Sequence, residues 1–216
     1  FDLPSEWYGE QTATEANLLD IQPGTRITFK PSGTGAFQVE LETGQSLDPE
    51  LGPALSLDDG GGAPPDDGFS EIKLQTSFPF FGETYELLFV GSDGHISLGK
   101  GDGTSAGRTA ARHTGGPPRL SVLLTDLDPA CGGSVHADVR PDRVVVTWDK
   151  VVHIERGSAD GCDSKTPTNT FQAVVHGDGT IEYNYGQLDI EFLSQTGGNR
   201  EAVIGVAEGN TEEPNG

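Results

Sequence analysis

Asp126 and Asp128 flank Leu127 in the stretch Leu123-Leu-Thr-Asp-Leu-Asp-Pro129. On an extended strand, residues two apart share a face at about 6.5–7 Å, which opens three chemistries to the pair. That spacing suits the acid and the nucleophile or base of a glycosidase. With Asp93 the two carboxylates also offer the hard oxygen ligands that Ca²⁺ takes from loops. In the third reading they end a strand and cap the turn at Pro129 through side-chain to backbone hydrogen bonds. Asp102, Asp160 and Asp163 also fall in loops and could converge on a cation, although no EF-hand or glycine-rich calcium repeat is present.

Other reactive side chains fit no catalytic pattern. The histidines His95, His113, His136, His153 and His176 never take zinc-ligand spacing, although His136 and His153 fall on neighbouring strand segments. No serine sits in a nucleophile elbow, and Lys100 precedes the glycines of Gly99–Gly107 where a phosphate loop needs it after them. Cys131 and Cys162 lie in the turn-like contexts PACGGS and ADGCDS, and a disulfide between them is expected. It would close a loop of about 31 residues, worth roughly 3–4 kcal/mol in the chain-entropy model.

Composition excludes whole classes of partner. Thirteen Lys+Arg against 34 Asp+Glu give a net charge of −21, which cannot form the basic face that phosphate backbones or anionic lipids require. No apolar run reaches the ~18 residues needed to span a bilayer, so no membrane insertion is expected. Thirty-one Gly and 14 Pro favour many turns over long helices. Met is absent; a start at Phe1-Asp-Leu-Pro fits removal of an export signal or excision from a longer protein.

The elements that must position these residues are strands. Arg26–Lys30 and Phe37–Leu41 alternate cleanly around Pro31-Ser-Gly-Thr-Gly35 and form a hairpin. Its apolar face, Ile27, Phe29, Val39 and Leu41, cannot stand alone in water and must add to other structure. Gly44–Gly68 lacks periodicity and reads as a linker or long surface loop. Nine strand segments follow, at 71–75, 85–90, 95–98, 120–124, 134–139, 143–148, 170–175, 180–185 and 202–206. Asp93-Gly94, Pro141-Asp142 and Asp178-Gly179 mark tight turns between neighbours. The pattern describes an all-β chain, a β-sandwich or barrel, taken here as an antiparallel, jelly-roll-like β-sandwich with a strand-rich amino-terminal extension. Only Thr12–Leu19 and Leu188–Leu193 have helix-like stretches. Trp148, Tyr183, Tyr185, Phe89 and Phe171 read as core, with a lectin-like aromatic platform as the alternative; Trp7 and Tyr8 would anchor the amino-terminal segment.

The segment Phe78–Gly99, FPFFGETYELLFVGSDGHISLG, resembles the opening of nidogen-like extracellular domains. Asp126-Leu-Asp128, Gly132-Gly-Ser-Val135, Val145-Val-Thr-Trp148, Thr170-Phe-Gln172 with Gly177-Asp-Gly179, Tyr183-Asn-Tyr-Gly186 and Ala202-Val-Ile-Gly205 then follow in that family's order. The resemblance covers about Asp58 to Gly209, and Gly107–Leu124 looks closer to bacterial and archaeal surface-protein versions. It implies a β-sandwich module of secreted or cell-surface proteins, concerned with matrix or adhesion and without a catalytic role.

The expected organisation is an extension over 1–57, a nidogen-like sandwich over 58–210 and a tail over 211–216. The expected function is a non-catalytic structural or adhesion module of a secreted, surface or filamentous protein, extracellular in location. Its expected partners are other extracellular proteins or copies of itself through edge strands, with Ca²⁺ the candidate ion and neither nucleic acid nor membrane among them. The alternative is a carbohydrate-binding or glycoside-hydrolase jelly roll using Asp126 and Asp128.

Overall fold

A computed structural model describes residues 7–11, 21–33, 35–58, 66–104, 107–153, 168–189 and 202–210. Cys162, Asp160, Asp163, the tail and the helix-like stretch Thr12–Leu19 lie outside the described residues, as does most of Leu188–Leu193.

Thirteen strands and one short helix form two antiparallel sheets among the described residues. One contains β1 (Trp7–Gln11), β4 (Phe69–Phe80), β5 (Glu83–Gly91), β6 (His95–Leu98), β7 (Arg119–Leu124) and β13 (Ala202–Ala207), in the order β1-β13-β7-β6-β5-β4. The other contains β2 (Arg26–Gly33), β3 (Ala36–Glu42), β8 (Leu127–Asp128), β9 (Ser134–Val139), β10 (Arg143–His153), β11 (Asn169–His176) and β12 (Ile181–Tyr185). Its order is β3-β2-β12-β11-β10-β8, with β9 also paired to β10. The expected all-β antiparallel sandwich is the observed fold, and every strand segment read from alternation is present.

The two inner faces share one core that includes Ile27, Phe29, Val122, Val146, Trp148, Phe171 and Ile204. Aromatic side chains also stitch the sheets together by hydrogen bonds. Trp148 Nε1 donates to the Gly91 carbonyl at 3.0 Å, Tyr183 to Gly205 at 2.8 Å and Tyr185 to Val122 at 2.6 Å. Each ring buries a large apolar body while its single polar atom stays satisfied. Trp148, Tyr183, Tyr185, Phe171 and Phe89 are all buried, so the lectin-like platform considered for them does not exist.

The amino-terminal hairpin is built into the sandwich. β2 pairs with β12 from Arg26↔Asn184 to Phe29↔Ile181, and Ile27 and Phe29 enter the core. Leu41 is 62% exposed on the outermost strand, where Glu40 and Glu42 keep the edge charged. The aperiodic stretch after it does more than link. Leu55 N–H donates to Val135 O at 2.8 Å and Ala137 N–H to Pro53 O at 3.1 Å, laying residues 53–55 beside β9. Arg140 fixes the same segment, bonding Asp48 at 2.6 and 3.0 Å and Asp138 at 2.6 Å. A single bridge, Ala54↔His136, is too short to leave a period-2 trace.

The helix α1 (Ala110–Thr114) lies where none was expected. Thr109 caps it by accepting from Arg112 N–H at 3.3 Å. It packs on β13 and β7, across the outer face of the six-stranded sheet. That cover explains why β6, β7 and β13 are buried along their whole lengths: the sandwich core takes one face and α1 with the residues next to it the other.

Candidate functional site

The sequence-predicted carboxylates gather at the end of the six-stranded sheet where β5 turns into β6. Gly94 makes that turn at φ +73°, its Cα so close to the Leu123 carbonyl that a Cβ would collide with it. Asp93, immediately before it, is buried. Its side chain accepts from Arg108 Nε at 3.0 Å and Nη2 at 3.1 Å, and from Arg112 Nη1 at 3.0 Å. Arg108 Nη2 also reaches Asp126 Oδ1 at 2.9 Å and Asp67 Oδ1 at 2.8 Å. Arg112 Nε meets Asp102 Oδ2 at 3.2 Å, and Arg119 Nη2 joins the same oxygen. Three buried arginines thus face three buried aspartates, Asp93, Asp102 and Asp126, with Asp67 at the rim.

Electrostatics follow from this burial. Asp93 is pushed up to about 6 by burial, against the pull of Arg108 and Arg112. Asp66 is pushed up to about 7, first by burial and then by the charges of Asp128, Asp67, Asp126 and Asp93; its Oδ1 is buried without a hydrogen-bond partner. His95 lies 3.9 Å from Asp102 Oδ2 and is held neutral by burial and by Arg112 and Arg119, although Asp102 pulls the other way. Asp102 stays ionised despite burial because the guanidinium charges of Arg112 and Arg119 lower its pKa.

Asp126 and Asp128 go to different partners. Asp126 pairs with Arg108, whereas Asp128 Oδ1 accepts from Ala130 N–H at 2.8 Å and its carbonyl from Cys131 N–H at 3.1 Å, capping the turn after β8. Among the described residues no group of three or more His, Cys, Asp or Glu side chains is arranged to hold a metal ion. His136 pairs across from Thr147 and His153 across from Leu127, so six positions of β10 separate them, roughly 20 Å of strand. His153 instead sits beside Asn169 at 3.3 Å and Asp189 at 3.6 Å.

The arginines are what the sequence reading missed. Their signal was the spacing Arg108–Arg112, one helical turn apart, straddling a Thr N-cap.

At the opposite end of the same strands lies an open groove of about 530 Å³. Phe81 and Tyr85 from the β4–β5 hairpin, Pro117 and Pro118 before β7, and Glu208 after β13 line it, with Glu83 and Lys100 at its sides. Phe81 has φ +49°, uncommon for a bulky residue, and packs edge-on against Phe80 at 4.6 Å and Phe37 at 5.4 Å. Gly209, at φ +74°, brings the end of β13 against Gly116 and Pro117, where a Cβ would stand 2.6 Å from the Gly116 carbonyl.

An antiparallel sandwich whose described reactive groups serve internal pairing defines a β-sandwich module. The chain belongs to the NIDO-related family, whose model matches residues 50–214. It is 28% identical over 162 residues to alpha-tectorin of Mus musculus, a match covering 65% of this chain and 8% of that protein. The chain therefore spans a small part of the curated relative it matches. No solved structure matches it. The family match begins before Asp58, and residues 53–58 are hydrogen-bonded to β9 and β4.

Proposed function

We propose that this chain is an extracellular, non-catalytic structural module of a multidomain secreted or cell-surface protein, which meets other proteins through its edges and loop-built ends. The observation that carries this reading is the use of Asp93, Asp102 and Asp126 as counter-ions for Arg108, Arg112 and Arg119. These groups hold loops; they do not stand free for a substrate. Membership of a nidogen-like family supports the same reading, and among the described residues no helix is long and apolar enough to cross a membrane. Adhesion or filament building is the finer form of the proposal, with the strands β3 and β4, at the ends of their sheets, as contact lines.

The test compares beads coated with the 216-residue chain for mutual clustering and for capture by immobilised extracellular matrix, alongside turnover of an aryl-glycoside panel. Clustering or capture without turnover supports the module. Glycoside hydrolysis that Asp126→Asn abolishes in a folded variant overturns it.

Calcium at Asp93, Asp126 and Asp128 is a second reading, supported by the gathering of Asp67, Asp93 and Asp126 around Arg108. A melting temperature that falls markedly when chelator is added to calcium-loaded protein supports it; an unchanged melting curve removes it.

A further inference from the structure

We propose that the groove between the β4–β5 hairpin and the end of β13 is a docking site for an extended, arginine-bearing segment of another protein. The inference deepens the module reading by naming the chemistry of a partner.

Three features of the groove select that occupant. Phe81 and Tyr85 are both only partly buried, so ring surface is available for a guanidinium to stack on. Glu83 and Glu208 are exposed and act on the same ring: burial first, then their two charges, push the Tyr85 phenol up. Against these carboxylates the described lining residues offer one cation, Lys100, so the described part of the groove is net negative and complements a positive side chain. Its open form, lined by Pro117, Pro118 and aromatic rings, matches the aromatic grooves that take extended peptides.

Two other candidate occupants carry the wrong sign. A second copy brings a net charge of −21, and the residues after Asn210 include Glu212 and Glu213. The same excess charge draws a basic partner in from a distance and gives its association a steep salt dependence.

The experiment measures binding of a capped Arg-Pro-Arg-Pro-Arg peptide, and of its Gln-for-Arg counterpart, to the full chain by calorimetry. The arginine peptide should bind, weaken as salt rises, and lose about tenfold or more in affinity in the double variant Glu83→Gln/Glu208→Gln. Tyr85→Phe should keep the affinity and Tyr85→Leu should lose it, since the ring face and not the hydroxyl makes the contact. Glu42→Gln/Glu71→Gln removes the same charge from exposed sites on β3 and β4 and should leave binding unchanged. The proposal is overturned by equal binding of the glutamine peptide, by equal losses in the two double variants, or by no binding at low salt. Preferential binding of neutral oligosaccharides to the same groove would overturn it too.

Discussion

The two ends of the six-stranded sheet handle charge in opposite ways. At the β5–β6 end, Asp93, Asp102 and Asp126 are buried and matched by Arg108, Arg112 and Arg119. At the β4–β5 end, Glu83 and Glu208 stand exposed around half-buried rings. The first arrangement closes on itself: three arginines drawn from one twelve-residue stretch tie α1 and β7 to Asp93, Asp102 and Asp126. The second leaves its valences outward. A network that saturates its own groups serves the fold, whereas an unsaturated one is available to a partner.

The sharpest way to break this contrast is to delete one member of the closed end. Arg108→Ala leaves Asp93 and Asp126 buried with their main counter-ion gone, and uncompensated buried charge costs about 3–5 kcal/mol. Denaturant unfolding should show a loss of that size. A loss under about 1 kcal/mol would mean that water, and not Arg108, satisfies those carboxylates.

A somewhat smaller effect should come from the cysteines. Cys131 follows the turn that Asp128 caps, at the closed end, and its proposed disulfide to Cys162 would restrict a loop of about 31 residues. Reduction, or Cys131→Ser/Cys162→Ser, should then destabilise the chain by roughly 3–4 kcal/mol while leaving binding in the groove intact. Non-reducing peptide mapping that finds both thiols alkylated would dispose of the bond.

The next effect is read along pH. His95, His113 and His153 are kept neutral by burial, so their folded pKa values lie below the unfolded one. The stability they contribute is full above about pH 6.5 and is lost as pH falls. Asp66 and Asp93 have the opposite sign, with folded values of about 7 and about 6 against 3.8. Their contribution is full below about pH 3.8, falls away as pH rises, and is gone above about pH 7. Between pH ~4 and ~6.5 the three histidines outweigh the two aspartates, so melting temperature should rise to about pH 7 and level off above it. Asp66→Asn removes a loss that accumulates between pH ~4 and ~7, so it should raise the melting temperature at pH ~8 while leaving it nearly unchanged near pH ~4. Equal melting temperatures of parent and variant at pH ~8 would show that burial does not raise Asp66.

The same division explains how far the sequence could be read. Strands in which apolar and polar residues alternate, such as β2, β3, β9 and β12, carry a period of two that the eye can follow. The turn residues Asp93-Gly94 and Asp178-Gly179 fix where they reverse. Helix α1 left no such trace, because five residues give barely one turn and the glycines around it read as loop. Asp126 and Asp128 were visible as a pair, but their destinations were not. Arg108 is fifteen residues from Asp93 and eighteen from Asp126, and a charge that will be buried is spelled like one that will be solvated. The groove was less legible still. Its parts come from four separated segments and converge only because β5, β6, β7 and β13 are neighbours in one sheet.

The smallest expected effect is the one that separates the two ends most cleanly. Glu83→Gln/Glu208→Gln removes two exposed carboxylates from a molecule with 34 acidic residues against 13 Lys and Arg. Exposed charges away from caps and buried pairs seldom shift stability by more than about 0.5 kcal/mol, and relief of general repulsion favours the variant if anything. Its unfolding curve should therefore overlay that of the parent. A loss above about 1 kcal/mol would show that these glutamates hold the β4–β5 hairpin against β13 as Arg108 holds the other end. In that case both ends of the sheet would be closed, and the groove would be a seam of the fold instead of a surface open to a partner.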